Sequence, residues 1–350
     1  MPLQGATDHG RPGTGPAAMK ITIITPAPAH SRKGNRVTAL RWSRLLRQLG
    51  HRVAIRQKYC GEGCDVLVAL HARRSFIAIE HFRRLYPDRP LVLALTGTDL
   101  YDEIHRDKSA RQSLVLASRL IVLQPLGIQE LPARFRGKAR VIYQSVGFRL
   151  SAKSRKPKAD RRQPFQVCVL GHLRPVKDPF RTAEAVRLLP HSSRIRVVHV
   201  GAALDATMAD RVRVESSVNS HYRWLGDLPR WKSLRVLASS RLLVLTSLME
   251  GGANVLSEAI AARVPVLCSR IAGSVGILGD DYPGYFPVGD TRALAALLER
   301  AENDAQFYRS LKKSCEKLRP LVQPARERES WRRLLGEFRD QKSEVRGQKA

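Results

Sequence analysis

Glu250-Gly251-Gly252-Ala253-Asn254-Val255-Leu256-Ser257-Glu258-Ala259 is the stretch on which the fold turns. An apolar run, Leu242–Thr246, precedes it, and another, Val264–Ser269, follows it. Between them Asn254–Ala262 fits a helix. Strand, glycine loop, helix and strand in that order make a βαβ unit, whose strands lie parallel. The first glutamate then lies in the loop after a strand. The second lies about one turn into the helix, with seven residues between the two. Gly251 and Gly252 permit close backbone approach to a ligand, and a helix N-terminus offers N–H groups to a phosphate. Glu258 is placed to accept hydrogen bonds from vicinal hydroxyls, as a carboxylate does with ribose. Exposed helix-start glutamates favoured by the dipole would share this spacing. The preceding strand and the two glycines favour a ligand site.

The same rhythm extends in both directions. In the second half, Phe165–Leu170 and Arg196–Val200 are strand candidates upstream, Phe180–Leu188 and Trp231–Ser239 fit helices upstream, and Thr291–Ala301 fits one downstream. The run Gly171-His172-Leu173-Arg174-Pro175-Val176-Lys177-Asp178 follows the first of these strands. Arg174 and Lys177 there are two fixed cations suited to a departing diphosphate, or else a solvated basic turn. In the first half the strand candidates are Ile21–Thr25, Val53–Ile55, Val66–Leu70, Leu91–Leu95, Leu120–Leu123 and Val141–Tyr143, with helices at Val37–Leu49 and Ser75–Tyr86. Ser151–Pro164 is polar, basic and closed by proline, which is a linker composition. Two restarts of one architecture predict two Rossmann-like α/β domains, over 19–150 and 165–320, joined by a linker at 151–164. Residues 1–18 are expected to be a disordered extension, and 321–350 a C-terminal helix, at Glu327–Phe338, with a charged tail. Ligands of open parallel sheets sit beyond the carboxyl ends of the strands, so the site belongs in the cleft between the domains.

Composition narrows the function classes. The chain has 350 residues, 43% hydrophobic and 6% aromatic, enough for two buried cores. No apolar run approaches the ~20 residues that span a membrane, and the Gly/Pro/Ala-rich start has no apolar signal core. The expectation is a cytoplasmic protein. Five cysteines, an odd number, point to reduced thiols, and Cys60 and Cys64 lack the second pair that a metal site needs. The formal net charge of +30 suits anionic substrates, nucleic acid or an anionic surface. Much of it is Arg dispersed among Glu and Asp on helices. No nucleic-acid-binding motif or aromatic stacking platform is present.

The run from Trp224-Leu225-Gly226 through Ser247-Leu248-Met249-Glu250-Gly251 to Glu258-Ala259 and Pro265-Val266 resembles the retaining glycosyltransferases of family-four type. The resemblance spans most of residues 20–315. It implies a GT-B fold, two Rossmann-like domains facing across a cleft. It implies that Arg174 and Lys177 hold a donor diphosphate, that Glu258 holds the ribose, and that Glu250 lies by the transferred sugar. Backbone around Gly251, Gly252, Ala253, Asn254 and Val255 would contact the donor. Arg263 departs from the pattern, which has a small residue there, often Gly.

The first half carries Ser31-Arg32-Lys33-Gly34-Asn35-Arg36-Val37-Thr38-Ala39-Leu40-Arg41-Trp42, Ala69-Leu70-His71-Ala72-Arg73-Arg74-Ser75 and Leu95-Thr96-Gly97-Thr98-Asp99-Leu100-Tyr101. Together these are similar to the selenosugar synthases of selenoneine biosynthesis. That resemblance implies transfer from UDP-N-acetylglucosamine or UDP-glucose to selenophosphate, forming a carbon–selenium bond at the anomeric carbon. The residues themselves agree with an anionic acceptor. Gly34, Asn35 and Arg36 form a loop at a helix start, His71 and Arg73 follow one strand, Thr96 and Thr98 another, and Ser145 a third. A small oxyanion calls for this Arg- and His-rich set. The expected catalytic residues are Glu250, His71, Arg174 and Lys177, with no metal and no cofactor. An ordinary GT-B transferase acting on a lipid or polysaccharide precursor is the alternative, since the helix Val37–Leu49 carries Arg41, Arg44 and Arg47. No nucleic-acid or membrane partner is expected.

Overall fold

A computed structural model describes residues 18–147 and 163–347. The expected extension before residue 18, and residues 151–162 of the expected linker, lie outside the described residues.

Two six-stranded parallel sheets form the frame. The first contains β1 (Lys20–Ile24), β2 (Arg52–Arg56), β3 (Val66–Leu70), β4 (Leu91–Ala94), β5 (Arg119–Val122) and β6 (Ala139–Val141), in the order β2-β1-β3-β4-β5-β6. The second contains β7 (Phe165–Leu170), β8 (Ile195–Val200), β9 (Tyr222–Trp224), β10 (Leu242–Leu245), β11 (Val266–Ser269) and β12 (Tyr285–Phe286), in the order β12-β11-β10-β7-β8-β9. Every residue of β3, β4, β10 and β11 is buried. Helices cover both faces of such sheets, which is why these strands read as continuous apolar runs rather than alternating ones.

The order of each sheet reverses beside its first strand, between β1 and β3 in one and between β7 and β10 in the other. A crevice opens at such a switch point, and the loops after these strands line it. The fold therefore directs attention to the segments after Ile24, Leu70, Leu170 and Leu245.

Each sheet has its own core. The second domain packs around Val167, Leu243, Leu256 and Leu267. The first has one cluster on each face of its sheet. One of these contains Trp331, Leu334, Leu335 and Phe338, from the final helix Pro324–Gly347, packed with Ile21, Trp42 and Leu46. The chain thus leaves the second domain and returns to the first.

Several boundaries differ from the sequence reading. The sixth strand is Ala139–Val141, two residues earlier than expected, because Ile142 continues the ladder only through its N–H to the Val122 carbonyl. The final helix, Pro324–Gly347, runs on through residues expected to form a charged tail. Helices Lys108–Leu116, Ala206–Val218, Ala272–Leu278 and Ala305–Lys317 were not anticipated, nor were the short strands β9 and β12. All five cysteines are unpaired, and only Cys60 is exposed.

Candidate active site

Loops after β1, β3 and β4 face loops after β7, β8 and β10 across a cavity of about 610 Å³. The domains touch closely beside it. A Cβ on Gly251 would lie 2.7 Å from the Thr96 carbonyl, and one on Gly252 would lie 2.7 Å from Leu123 Cβ. A Cβ on Gly276 would overlap the Gln124 amide. The two glycines after Glu250 were expected to admit a ligand. Their lack of side chains instead lets the first domain approach. Gly252 still lines the cavity, whereas Gly251 does not.

The second-domain wall is built on β7 and β10. After β7 the chain runs extended at Arg174, turns through Pro175–Lys177 and enters the left-handed region at Asp178 (φ 43°). Thr246 fixes this turn by donating its hydroxyl to the Lys177 and Asp178 carbonyls, at 2.9 and 2.8 Å. Lys177 Nζ ion-pairs with Glu250, whose carboxylate also accepts from the Ser247 hydroxyl at 2.8 Å. Glu258 is buried in the following helix, and its carboxylate lies 2.5 Å from the Arg230 guanidinium. Burial pushes the Glu258 carboxyl above its ordinary range, while Arg230, and Arg41 beyond it, pull it back. His172 is held below the usual imidazole value by burial and by Lys33, Lys177 and Arg174, against the pull of Asp227. Its Nδ1 accepts from the Ala202 N–H at 3.1 Å, which suits a neutral ring.

The first-domain wall is organised by Asp99, which is fully buried. Its carboxylate accepts from the N–H groups of Thr96 and Gly97, at 2.9 and 2.8 Å, and of Ala72, at 3.0 Å. It therefore ties together the loops after β3 and β4 rather than capping a helix. His71 opens the first of these loops at φ 77°, a left-handed conformation that costs about 1–2 kcal/mol for a residue other than glycine. Its Nε2 lies 3.4 Å from the Thr98 hydroxyl and its Nδ1 lies 3.7 Å from Glu103. His71, Thr96 and Thr98 all line the cavity.

Two helices, Gly34–Gln48 and Asn254–Ala262, begin at the cavity from opposite domains, and neither has a side-chain cap. A Cβ on Gly34 would lie 3.7 Å from Asn254 Nδ2, so the two starts are close. Each carries the positive end of its dipole, an arrangement that favours an anion between them. The side-chain charges agree. Of the lining cations, Arg32 pairs with Asp227 at 2.8 Å, Lys177 with Glu250 and Arg230 with Glu258. Lys33, Arg74 and Arg174 have no ion-pair partner among the described residues.

Most of the residues expected from sequence meet here. Gly34, Asn35, His71, Thr96, Thr98, Arg174, Lys177, Glu250, Gly252, Ala253, Asn254, Val255 and Glu258 line the one cavity. Arg36, Arg73 and Ser145 do not. Arg73 turns toward Glu103, 3.7 Å away, and its neighbour Arg74 takes the place on the wall. Ser145 donates both its N–H and its hydroxyl to Glu327. Arg36 keeps a buried, unpartnered Nε away from the lining. Arg74 and Gln144, each beside an expected residue after its strand, line the cavity in place of Arg73 and Ser145, and sequence reasoning missed Lys33, within a stretch it quoted. It also missed Asp227 and Arg230, which follow the three-residue strand β9. Arg263, the departure from the family pattern, is the left-handed residue ending its helix at φ 58°, which explains why glycine suits that position.

Residues 151–318 match the family model described as glycosyl transferases group 1. A curated relative assigned as the teichuronic acid biosynthesis glycosyltransferase TuaC of Bacillus subtilis is 27% identical over 245 residues, 69% of this chain. The match spans about half of that relative, 54% of its length. Among solved structures, HepE of Anabaena in complex with UDP and glucose superposes with a TM-score of 0.73 at 15% identity, covering 91% of this chain and 100% of that one. The sucrose-phosphate synthase of Thermosynechococcus elongatus gives a TM-score of 0.73 at 16% identity, covering 91% and 99%. The fold is GT-B. The loop after β7 and the Glu250–Glu258 segment share one wall of the cavity. Among the described residues no helix is long and apolar enough to cross a membrane.

Proposed function

We propose that the protein is a UDP-sugar-dependent glycosyltransferase whose acceptor is selenophosphate, yielding a 1-selenosugar. The reading rests on the family of the second domain and on UDP and glucose bound to HepE. The observation that carries the acceptor half is the first-domain wall. Among the described residues, Lys33 and Arg74 face the cavity without an ion-pair partner, beside an uncapped helix start, and no Asp or Glu of the first domain lines it. A sugar acceptor needs carboxylates and amides for its hydroxyls. A small oxyanion needs cations and N–H groups.

In this mechanism the donor lies against the second domain. Glu258 accepts from the ribose hydroxyls, and Arg174 and Lys177 neutralise the diphosphate. Selenium attacks the anomeric carbon, the bond from that carbon to the diphosphate oxygen breaks, and UDP leaves with the electron pair. Water then cleaves the selenium–phosphorus bond, releasing phosphate and the selenol. A polarisable selenium anion needs little general-base help, so the first-domain wall serves to hold the phosphoryl oxygens. His71, fixed in its strained conformation beside Thr98, is positioned at the reacting centre.

Mass spectrometry with UDP-glucose or UDP-N-acetylglucosamine, with and without selenophosphate, tests the reading. The expected result is UDP and a selenium-containing hexose derivative only when both substrates are present. Donor consumption unaffected by selenophosphate would overturn the acceptor assignment. Lys33→Ala with Arg74→Ala should raise the KM for selenophosphate at least about ten-fold while leaving UDP affinity near that of the unaltered protein.

A further inference from the structure

One buried carboxylate outside the cavity gathers three separate segments. Glu327, in the first turn of the final helix, is 1% exposed. It accepts from Arg41 Nε at 3.1 and 3.0 Å, from Trp42 Nε1 at 2.7 Å, from the Ser145 N–H at 2.8 Å and from the Ser145 hydroxyl. Arg41, itself 9% exposed, uses its next nitrogen across the domain boundary, donating to Asn254 Oδ1 at 2.8 Å. Asn254 is the first residue of the helix that carries Glu258, and its side chain stands beside Gly34.

We propose that Arg41 and Glu327 are positioning residues of the donor site, acting through Asn254. The inference rests on the reading that the second-domain wall binds the UDP moiety. Glu327 holds the guanidinium by two oxygens. That leaves the far edge of the fork aimed at Asn254 and fixes the start of the donor helix against the start of the first-domain helix. A buried ion pair is a poor source of stability, because desolvation offsets the attraction. What this one supplies is geometry. The planar guanidinium reaches a carboxylate on one side and an amide on the other, which a lysine ammonium does not reproduce. Glu327 does not line the cavity; its link to the donor wall runs through Arg41 to Asn254, and the Asn254→Ala background separates that link from the one through Ser145, next to Gln144.

The test is a double-mutant cycle on UDP affinity, measured by titration calorimetry, with melting temperature as a control on folding. Glu327→Gln keeps shape and one acceptor, so the variant should remain folded. It should weaken UDP binding about ten-fold when Asn254 is present and hardly at all in Asn254→Ala. Arg41→Lys should resemble Glu327→Gln. An equal loss in both backgrounds, or a lowered melting temperature with unchanged UDP affinity, would overturn the inference. If the unaltered protein failed to bind UDP, the donor-site reading itself would fall, and this inference with it.

Discussion

In the proposed donor site, Glu258 combines burial with a role that requires charge. Its carboxyl is raised above the ordinary value of 4.5, chiefly by burial, with Arg230 opposing. A carboxyl raised in the folded state favours folding fully below its unfolded value, and that contribution is lost as pH rises through the raised one. Glu258→Gln removes this loss. The variant should therefore match the unaltered protein in melting temperature near pH 4 and exceed it at pH 7.5, as read by calorimetry. The same substitution should cost donor affinity, roughly ten- to a hundred-fold, since hydrogen bonds to a charged group are worth about 1.5–3 kcal/mol. UDP affinity of the unaltered protein should fall as pH drops through the raised Glu258 value, and this component should be missing in Glu258→Gln. Lys177→Ala should instead depress kcat strongly, because it removes the partner of Glu250 and, on the proposed reading, a cation for the departing diphosphate. A loss of about 10²-fold or more is expected, with the melting temperature little changed.

The Glu250–Glu258 segment is where sequence and structure agree best and also where the reasons differ. Strand, glycines and helix were legible because continuous apolar runs mark buried parallel strands, and because a helix start after glycine is a local signal. The purpose of Gly251 was not legible. Its neighbour is Thr96 in the other domain, and no local pattern encodes a contact across more than a hundred residues. The same limit explains why Arg73 was preferred to Arg74: adjacent side chains leave a turn in different directions, and the choice depends on the φ 77° at His71. Strands β9 and β12, three and two residues long, carry too few side chains to show a period, so Arg230 beyond β9 went unseen. Gly251→Ala tests the packing reason. The added methyl must push against backbone rather than a flexible side chain, so the variant should lose about 1–3 kcal/mol by denaturant titration. It should also bind UDP more weakly, as the loop between Glu250 and the donor helix shifts. Unchanged stability would mean that the domain contact at Thr96 is looser than the geometry implies.

At the scale of the whole molecule, the final helix decides how the domains behave together. It follows the second domain in sequence, yet Trp331, Leu334, Leu335 and Phe338 bury themselves in the first-domain core. Trp331 is fully buried, with its ring at 75° to that of Trp42 and centroids 5.0 Å apart. Truncating such a side chain costs about 3–5 kcal/mol through lost transfer energy and the cavity left behind. Because the deficit falls on the first domain, Trp331→Ala should split thermal unfolding. The first domain should melt early, while the second keeps its own core around Leu243 and Leu267. UDP should still raise the later transition, since ligand binding stabilises only the state that binds it. Trp331→Phe is the discriminating companion. The indole Nε1 is buried without a hydrogen-bond partner, so replacing it with a phenyl ring discards an unsatisfied donor while keeping an edge-on contact with Trp42. It should cost far less than the alanine change and leave one transition. A single cooperative transition in Trp331→Ala, merely shifted, would mean that the contacts at Gly251, Gly252 and Gly276 suffice to couple the domains without the returning helix.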